Sequence, residues 1–445
     1  HEIAADLHAQ IATLQWVVDL YNLVYAAFIL TGGTLADIYG RRFVFVAGSA
    51  CFAVGSLVCA LAPDAATLII GRGLAGFGAA LELPAALAIL NVTYPDPAER
   101  THAIAIWGGM NGLAMAIGPT LGGILVDALG WRSLFWVILP VAAAAVWLAL
   151  RRVPESRDPA GRGLDIRGQL LAIVVLATLA LGFIEAPALG WMSPWILLCF
   201  LVCLGSMVGF LVSQRHSKTP LVPLSVFQSR PFSASILIAM AMTFGMYGLL
   251  FVLPLFFQAI QGSSATIAGV KLLPMSLSFY GVSLFAGRIA GSFGARVLIG
   301  GGIALVGAGC FGLSFLSPSA TYTLPAVSLL VIGIGLGSIT GPIATVAVSN
   351  APAARSGMSS GLVNMGRLIG ATIGVAILGV LFGAEAAKAA HDSPTFLHGL
   401  RLTFLLGGCA ELLGAGVAAV WLRSGSLSTP ATQCQRDVQK INGGR

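Results

Sequence analysis

The stretch Gly33-Thr34-Leu35-Ala36-Asp37-Ile38-Tyr39-Gly40-Arg41-Arg42 lies between two apolar runs, 15–36 and 43–62. Each run is long enough to cross a bilayer, because about 20 apolar residues span the hydrocarbon core. The polar stretch is therefore a tight turn at one membrane face, and it sets the register of the spans on both sides.

Five residues of this turn are candidates for a gating loop. Gly33 and Gly40 would let two helix ends approach closely. Arg41 and Arg42 mark the cytoplasmic side, where Lys and Arg collect. Asp37 can hold an arginine or cap the N-terminus of a neighbouring helix.

The composition is that of a polytopic membrane protein. The 445 residues are 57% hydrophobic and 9% charged, and the mean hydropathy is +0.92, whereas soluble domains carry about 25% charged residues. The net charge of +7 does not indicate nucleic-acid binding, because the basic residues fall in short loops. The seven cysteines show no metal or redox spacing, so no cofactor is expected. An enzyme is disfavoured, since the chain has no nucleophile elbow, metal-ligand cluster or phosphate loop.

Apolar runs between polar breaks predict thirteen spans. They are 15–36, 43–62, 67–93, 102–126, 133–150, 169–189, 194–213, 232–260, 267–290, 297–317, 323–349, 356–383 and 400–422.

The breaks alternate in charge. Most of the 24 Lys and Arg residues lie on the side of Arg41, and the opposite side has only Arg132, Lys271, Lys388 and Arg401. This bias places the C-terminal tail in the cytoplasm. Thirteen spans then put residue 1 outside, although residues 1–14 carry nothing that would export them. We therefore expect a further helix before residue 1, which would give fourteen spans.

An internal repeat indicates two halves. Gly287–Arg296 aligns with Gly33–Arg42, and Pro342 aligns with Pro84. The predicted organisation is an N-terminal bundle, an insert of two extra spans with linkers, a C-terminal six-helix bundle and a cytoplasmic tail. Their ranges are 1–150, 151–231, 232–422 and 423–445.

Several stretches together resemble the major facilitator superfamily. The turn at 33–42 is similar to the loop between its second and third helices, and 68–76, which contains Arg72, to its fourth-helix arginine motif. Residues 112–123 resemble the fifth-helix motif associated with drug antiporters, which here comprises Gly112, Gly118, Pro119, Gly122 and Gly123. Residues 15–21 resemble the opening of the second helix in the fourteen-helix branch.

The resemblance implies proton-coupled efflux of amphipathic or cationic drugs or secondary metabolites by alternating access. The partners would be a small-molecule substrate, protons and the lipid of a bacterial inner membrane, with the protein acting as a monomer. Two alternatives stay open: a dedicated exporter of one metabolite, or a truncated membrane protein that does not transport.

Ionisable residues inside spans are candidates for proton or cation coupling. They are Asp19, Arg72, Glu82 and Arg367. Asp19 lies near a span end, where an interfacial role competes with a cavity role. Arg72 should face the bundle and have a partner, unless it snorkels outward. Glu82 is either a proton carrier, with Arg72 or Arg367 as its partner, or a structural hydrogen-bonding group.

A further set of polar, aromatic and methionine side chains lies on spans that the resemblance assigns to the substrate cavity. The alternative for each is ordinary packing or a hydrogen bond between helices. The set is Asn22, Trp107, Met110, Asn111, Phe244, Tyr247 and Asn364.

Overall fold

A single residue, Gly40, separates the first two membrane-length helices. In the computed structural model, which describes residues 2–158, 163–217, 219–317, 321–350, 356–388 and 393–422, these helices run Ile11–Tyr39 and Arg41–Ala60. Asp37 therefore stands in the last helical turn rather than in a loop. Gly40 has φ +116°, a region that residues with a Cβ atom rarely adopt.

Helices account for all regular structure in the described ranges. Besides a 3₁₀ turn at Leu224–Gln228 and a π turn at Phe256–Ile260, they are α1 Glu2–Asp6, α2 Ile11–Tyr39, α3 Arg41–Ala60, α4 Ala65–Thr93, α5 Pro97–Leu129, α6 Ser133–Trp136, α7 Ile138–Arg152, α8 Ile166–Leu189, α9 Pro194–His216, α10 Arg230–Leu255, α11 Ala265–Lys271, α12 Leu273–Phe293, α13 Ala295–Leu313, α14 Thr323–Ser349, α15 Ser356–Lys388 and α16 Ser393–Trp421.

Twelve stretches of the described chain are long and apolar enough to span a membrane. The pair α11 and α12, bent by 41° at Leu272, supplies a thirteenth if it counts as one span. The predicted all-α polytopic class is thus confirmed, and the bent pair falls where span 267–290 was expected. The tail at 423–445 lies outside the described residues.

The helices pack as two groups that meet along two seams. In the first group α4 packs against α2 and α3, and in the second α10 packs against α15 and α16. Across the seams α5 contacts α11 and α12, and α2 contacts α15. Gly294, with φ +85°, links α12 to α13 as Gly40 links α2 to α3. The contacts thus sort these helices into an N-terminal and a C-terminal group.

The helices α8 and α9 form a hairpin beside the α2–α15 seam. α8 contacts α2 and α15, while α9 packs chiefly against α8 and is almost entirely exposed to the membrane. Three polar contacts fasten α8 to α2: Trp16 Nε1 donates to Glu185 Oε1 at 2.8 Å, Gln169 Nε2 donates to the Ala27 carbonyl at 2.9 Å, and Thr31 Oγ1 donates to Gln169 Oε1. The contact of α8 with α15 is apolar.

Candidate functional site

We call the membrane face that carries Gly40 and the linker at 153–158 the basic face. A cavity of about 640 Å³ lies at this face between α2, α4, α14 and α15. Its wall mixes apolar side chains with Asp37, Arg41, Asn91 and Asn364. A mixed wall of this kind suits a molecule that has both apolar and polar parts.

Six further side chains lie on membrane-length helices, on the side of this cavity away from the basic face. Arg367 is one helical turn deeper than Asn364, Glu82 is adjacent to the cavity residue Leu83, and Tyr25 is one turn from Ile29. We call the set the central polar cluster; it consists of Tyr21, Tyr25, Arg72, Glu82, Tyr247 and Arg367. Its members come from both helix groups.

The three tyrosines connect the charged members of the cluster. Tyr247 of α10 interacts electrostatically with both Arg367 and Arg72. Tyr25 interacts in the same way with Tyr21, Tyr247, Glu82 and Arg367, and the rings of Tyr21 and Tyr25 meet edge to face at 5.9 Å. The cluster is therefore one electrostatic unit that bridges the two groups.

Neither arginine of the cluster forms an ion pair within the described residues. Arg72 Nε donates to the Val17 carbonyl at 2.9 Å, and Arg72 Cζ lies 4.3 Å from the centre of the Tyr21 ring. Arg72 thus points into the bundle instead of snorkelling. Arg367 donates through Nη2 to the Thr340 carbonyl at 3.0 Å. The expected pairing of Glu82 with one of them is wrong, because Glu82 faces Ser49 of α3 instead.

On the face opposite to the basic face, the two groups are held together at both seams. Gln15 Nε2 donates to the carbonyls of Val375 and Ala376, at 2.8 and 3.2 Å. Asp127 accepts hydrogen bonds from the amides of Ala265 and Thr266, at 3.0 and 2.7 Å. These bonds join the two groups at this face.

The glycines of the fifth-helix motif differ in their surroundings. A Cβ atom on Gly123 would overlap the Ala265 carbonyl group across the seam, and one on Gly112 would lie 3.2 Å from the Tyr280 ring. Gly118 has open space, and Gly122 makes only an ordinary contact within its own group. Pro119 lies inside α5, and its carbonyl meets Gly269 of α11. The close-packed part of the motif is therefore Gly112, Pro119 and Gly123.

At the basic face the turn is held by a residue that the sequence analysis did not single out. Glu155 accepts hydrogen bonds from the amides of Arg42 and Phe43, at 3.1 Å each, and so caps α3. The pair of Asp37 with Arg41, 2.9 Å apart, holds the other side. Gly33 is not needed for close approach, because a Cβ atom there would meet Pro84 only at 3.6 Å; Gly32 makes the tight contact, with Ala80.

Two carboxyl groups are fully buried without a hydrogen-bond partner among the described residues. Both oxygens of Asp19 are in this state, and Asp19 shares a face of α2 with Gln15 and Leu23, which pack at the α15 seam. An interfacial position is therefore wrong for Asp19. Glu411 of α16 is the second, and it lies against Gly245 and Gly307 in the core of the other group, away from the cavity.

The residues predicted to line the cavity take different positions. Asn364 lines it and Tyr247 belongs to the central polar cluster. Asn22 is buried, with its Nδ2 unpartnered in the described part of the chain. Met110 is 58% exposed, and neither it nor the partly buried Trp107 and Phe244 is among the described cavity residues. The side chain of Asn111 lies outside what the structure describes.

Besides Glu155, the site residues that sequence reasoning did not select are Tyr21, Tyr25, Gln15 and Asp127. Tyr21 and Tyr25 are spaced four apart in an apolar helix, which places two phenols on one face. This spacing could be recognised in the sequence. Gln15 and Asp127 gave no such signal, since a polar residue near a span end is ordinary until its partner is known.

Comparison with known proteins agrees with this architecture. Residues 2–375 match the family model of the Major Facilitator Superfamily. A solved POT-family peptide transporter superposes with a TM-score of 0.65 over 94% of this chain and 90% of the other, at 16% identity. That likeness concerns the fold.

The sequence relatives are more informative. The chain is 38% identical to the multidrug resistance protein Stp of Mycobacterium tuberculosis over 371 residues, 83% of this chain and 69% of the relative. It is 34% identical to the methylenomycin A resistance protein of Bacillus subtilis over 419 residues, 94% of this chain and 87% of the relative. These are transport proteins rather than enzymes. With the helical fold and the cleft between two helix groups, the matches show that this multi-pass membrane protein belongs to the major facilitator superfamily.

Proposed function

We propose that this protein exports amphipathic drugs or secondary metabolites from the cytoplasm in exchange for protons. One observation supports this above the others: the cavity lies at the basic face, its wall residue Asn364 is one helical turn from Arg367 of the cluster, and hydrogen bonds join the two groups at the opposite face. Since arginines mark the cytoplasmic side, the cavity would receive its substrate from the cytoplasm, as in an inward-open state.

Alternating access would follow from the arrangement of the seams. The opposite face is held by side chains on backbone groups, at Gln15 with α15 and at Asp127 with α11. These few polar bonds can break without disturbing the core of either group. The hairpin α8–α9 is fastened to α2 by polar contacts and meets α15 through apolar ones, so it would move with the N-terminal half.

Proton exchange needs an acidic group that can exchange its proton with each side of the membrane in turn. Glu82 is adjacent in sequence to the cavity residue Leu83, and Asp19 shares a helix face with Gln15 and Leu23 at the seam that must open. A carboxyl group without a partner in an apolar interior is favoured in the neutral form. Opening of the seam would bring water to Asp19 and allow the proton to leave. We further propose that the protein belongs to the fourteen-helix branch, acts as a monomer and has its C-terminal tail in the cytoplasm.

The test uses everted vesicles from a host that lacks its own efflux pumps. With the protein present, an acid-inside pH gradient should drive uptake of methylenomycin A, and growing cells should tolerate more of it. Collapse of the gradient should abolish uptake. If uptake is absent, or persists without a gradient, proton-driven efflux is wrong. Uptake of methylenomycin A but of no other amphipathic compound would identify a dedicated exporter.

A further inference from the structure

Within the described residues, neither arginine of the central polar cluster has an acidic partner. In the described residues the ion pairs are Arg41 with Asp37, Arg42 with Glu155 and Arg132 with Asp6, all at the membrane faces. Arg72 and Arg367 lie in the membrane interior instead. A charge at such depth is costly, and proteins normally keep it there for a ligand, a proton or a partner.

In the part of the chain that the structure describes, each guanidinium group uses only one N–H donor in a hydrogen bond. A guanidinium has five N–H groups, and the described contacts use one of Arg72 and one of Arg367, each on a backbone carbonyl. Arg367 Nε is buried without any partner in the described chain. A buried donor of this kind is an unfilled hydrogen-bonding position, which a bound acceptor would satisfy.

The charge balance of the cluster is positive. Glu82 is its only acidic member, and it faces Ser49 rather than either arginine. Even with Glu82 ionised, two guanidinium groups stand against one carboxylate. The phenol groups of Tyr21, Tyr25 and Tyr247 add hydroxyl donors and apolar ring surface around the two cations.

We propose that the central polar cluster binds the anionic group of an apolar small molecule, a carboxylate or phenolate, between Arg72 and Arg367. Planar anions fit the guanidinium fork, which can donate two parallel hydrogen bonds. The tyrosine rings would hold the apolar body, and Tyr247, which lies in the electrostatic range of both arginines, would donate to the anion. This names the substrate class for the proposed efflux function and rests on it. A cationic drug would meet two positive charges here.

The test compares three probes that share one apolar body and differ in charge. They are 1-pyrenebutyrate, its methyl ester and 1-pyrenebutylamine, and binding to the purified full chain in lipid nanodiscs is followed by pyrene fluorescence at pH 7. The anion should bind about tenfold or more tightly than the ester, because one charge-assisted hydrogen bond changes an affinity by about that factor. The amine should bind most weakly.

Variants assign the effect to the cluster. Arg72→Gln and Arg367→Gln should each lower affinity for the anion about tenfold and leave the ester unchanged, so that ester binding reports folding. Tyr247→Phe, which removes only a hydroxyl group, should also lower the affinity for the anion. This variant serves as the test if either arginine variant does not fold. Arg151→Gln is the control, because Arg151 stacks on Trp147 at the end of α7. It should change nothing.

Three outcomes would overturn the proposal: equal affinity for the acid and the ester, tightest binding of the amine, or an anion preference that survives the arginine and Tyr247 variants. The vesicle transport assay distinguishes failure of the anion site from failure of the proposed efflux function. If methylenomycin A is pumped and no anion preference exists, efflux stands and the anion site is wrong. If the anion binds and no gradient moves any compound, the site stands and the efflux function is wrong.

Discussion

The carboxylate of Glu155 lies so close to Gly40 that a Cβ atom on Gly40 would be 2.6 Å from Glu155 Oε1. The same carboxylate caps α3 through the amides of Arg42 and Phe43. Two features therefore favour glycine at position 40: the positive φ of its backbone, and the Glu155 cap, which occupies the space that a side chain would need.

Replacement of Gly40 by alanine should destabilise this turn. The strained φ of +116° and the displaced Glu155 together should cost roughly 1–3 kcal/mol. Thermal unfolding of the purified protein measures the loss. Gly291→Ala is the matched control, since it lies at the repeat position of Asp37 with open space around it. Equal melting temperatures for the two variants would contradict this account.

Replacement of Asp37 by asparagine should impair transport and leave the fold intact. The change removes the ion pair with Arg41, which at this exposure is worth about 1 kcal/mol or less and so shifts the equilibrium between two transport states up to about fivefold. Folding stability should change by less than about 1 kcal/mol, because Asp37 is 40% exposed. Vesicle uptake and expression level are measured together. Asp6→Asn, which breaks the Asp6–Arg132 pair at the opposite face, is the control and should transport normally.

Gly123→Ala should force the two groups apart at the opposite face, because the new methyl group would overlap the Ala265 carbonyl. Spin labels at Leu129 and Phe315, both highly exposed near that face, report the separation in a background without native cysteines. The distance should lengthen by about 1–2 Å or more, the scale of helix shifts at such interfaces. Gly118→Ala has room for its methyl group and should leave the distance unchanged. An unaltered distance in Gly123→Ala would remove this glycine from the closing surface.

Glu82→Gln should abolish pH-driven uptake, since glutamine keeps the shape and hydrogen bonding of glutamate but cannot titrate. Uptake with and without a pH gradient, measured across external pH, is the readout. Glu411→Gln is the matched control: it neutralises another buried acid, far from the cavity. If Glu82→Gln keeps the native rate and pH profile, Glu82 is structural, and Asp19→Asn becomes the variant to measure.

Asp165 should make the stability of the α8–α9 hairpin depend on pH. Burial acts to raise its pKa, but hydrogen bonds from the Gly168 amide, Gln214 and the Leu221 amide outweigh this, and the pKa lies below its ordinary 3.8. A lowered folded-state pKa stabilises the fold above the unfolded-state value, and the gain is lost as pH falls through the folded-state value. Asp165→Asn should therefore lower the melting temperature at pH 7, and the difference from the native protein should shrink below about pH 4. A difference that is constant with pH would contradict this.

The sequence alone determined the membrane class, the spans and the repeat. Span length follows from bilayer thickness and apolar composition, which are local properties. The turn at 33–42 and its counterpart at 287–296 could be read from the sequence for a similar reason, because each is a short polar stretch between two apolar runs. The structure adds that Gly40 and Gly294 both have a positive φ.

The tertiary structure decided which polar residues meet. Arg72 and Glu82 lie on one helix, and spacing could not show that one would stack on Tyr21 while the other faced Ser49. Glu155 is more than a hundred residues from Arg42 in the sequence. It can cap α3 only because the linker at 153–158 folds back onto the turn. In a bilayer almost every helix face is apolar, so the pattern that orients helices in water carries little information. Close packing and the few polar bonds between helices choose the orientation, and with it the site.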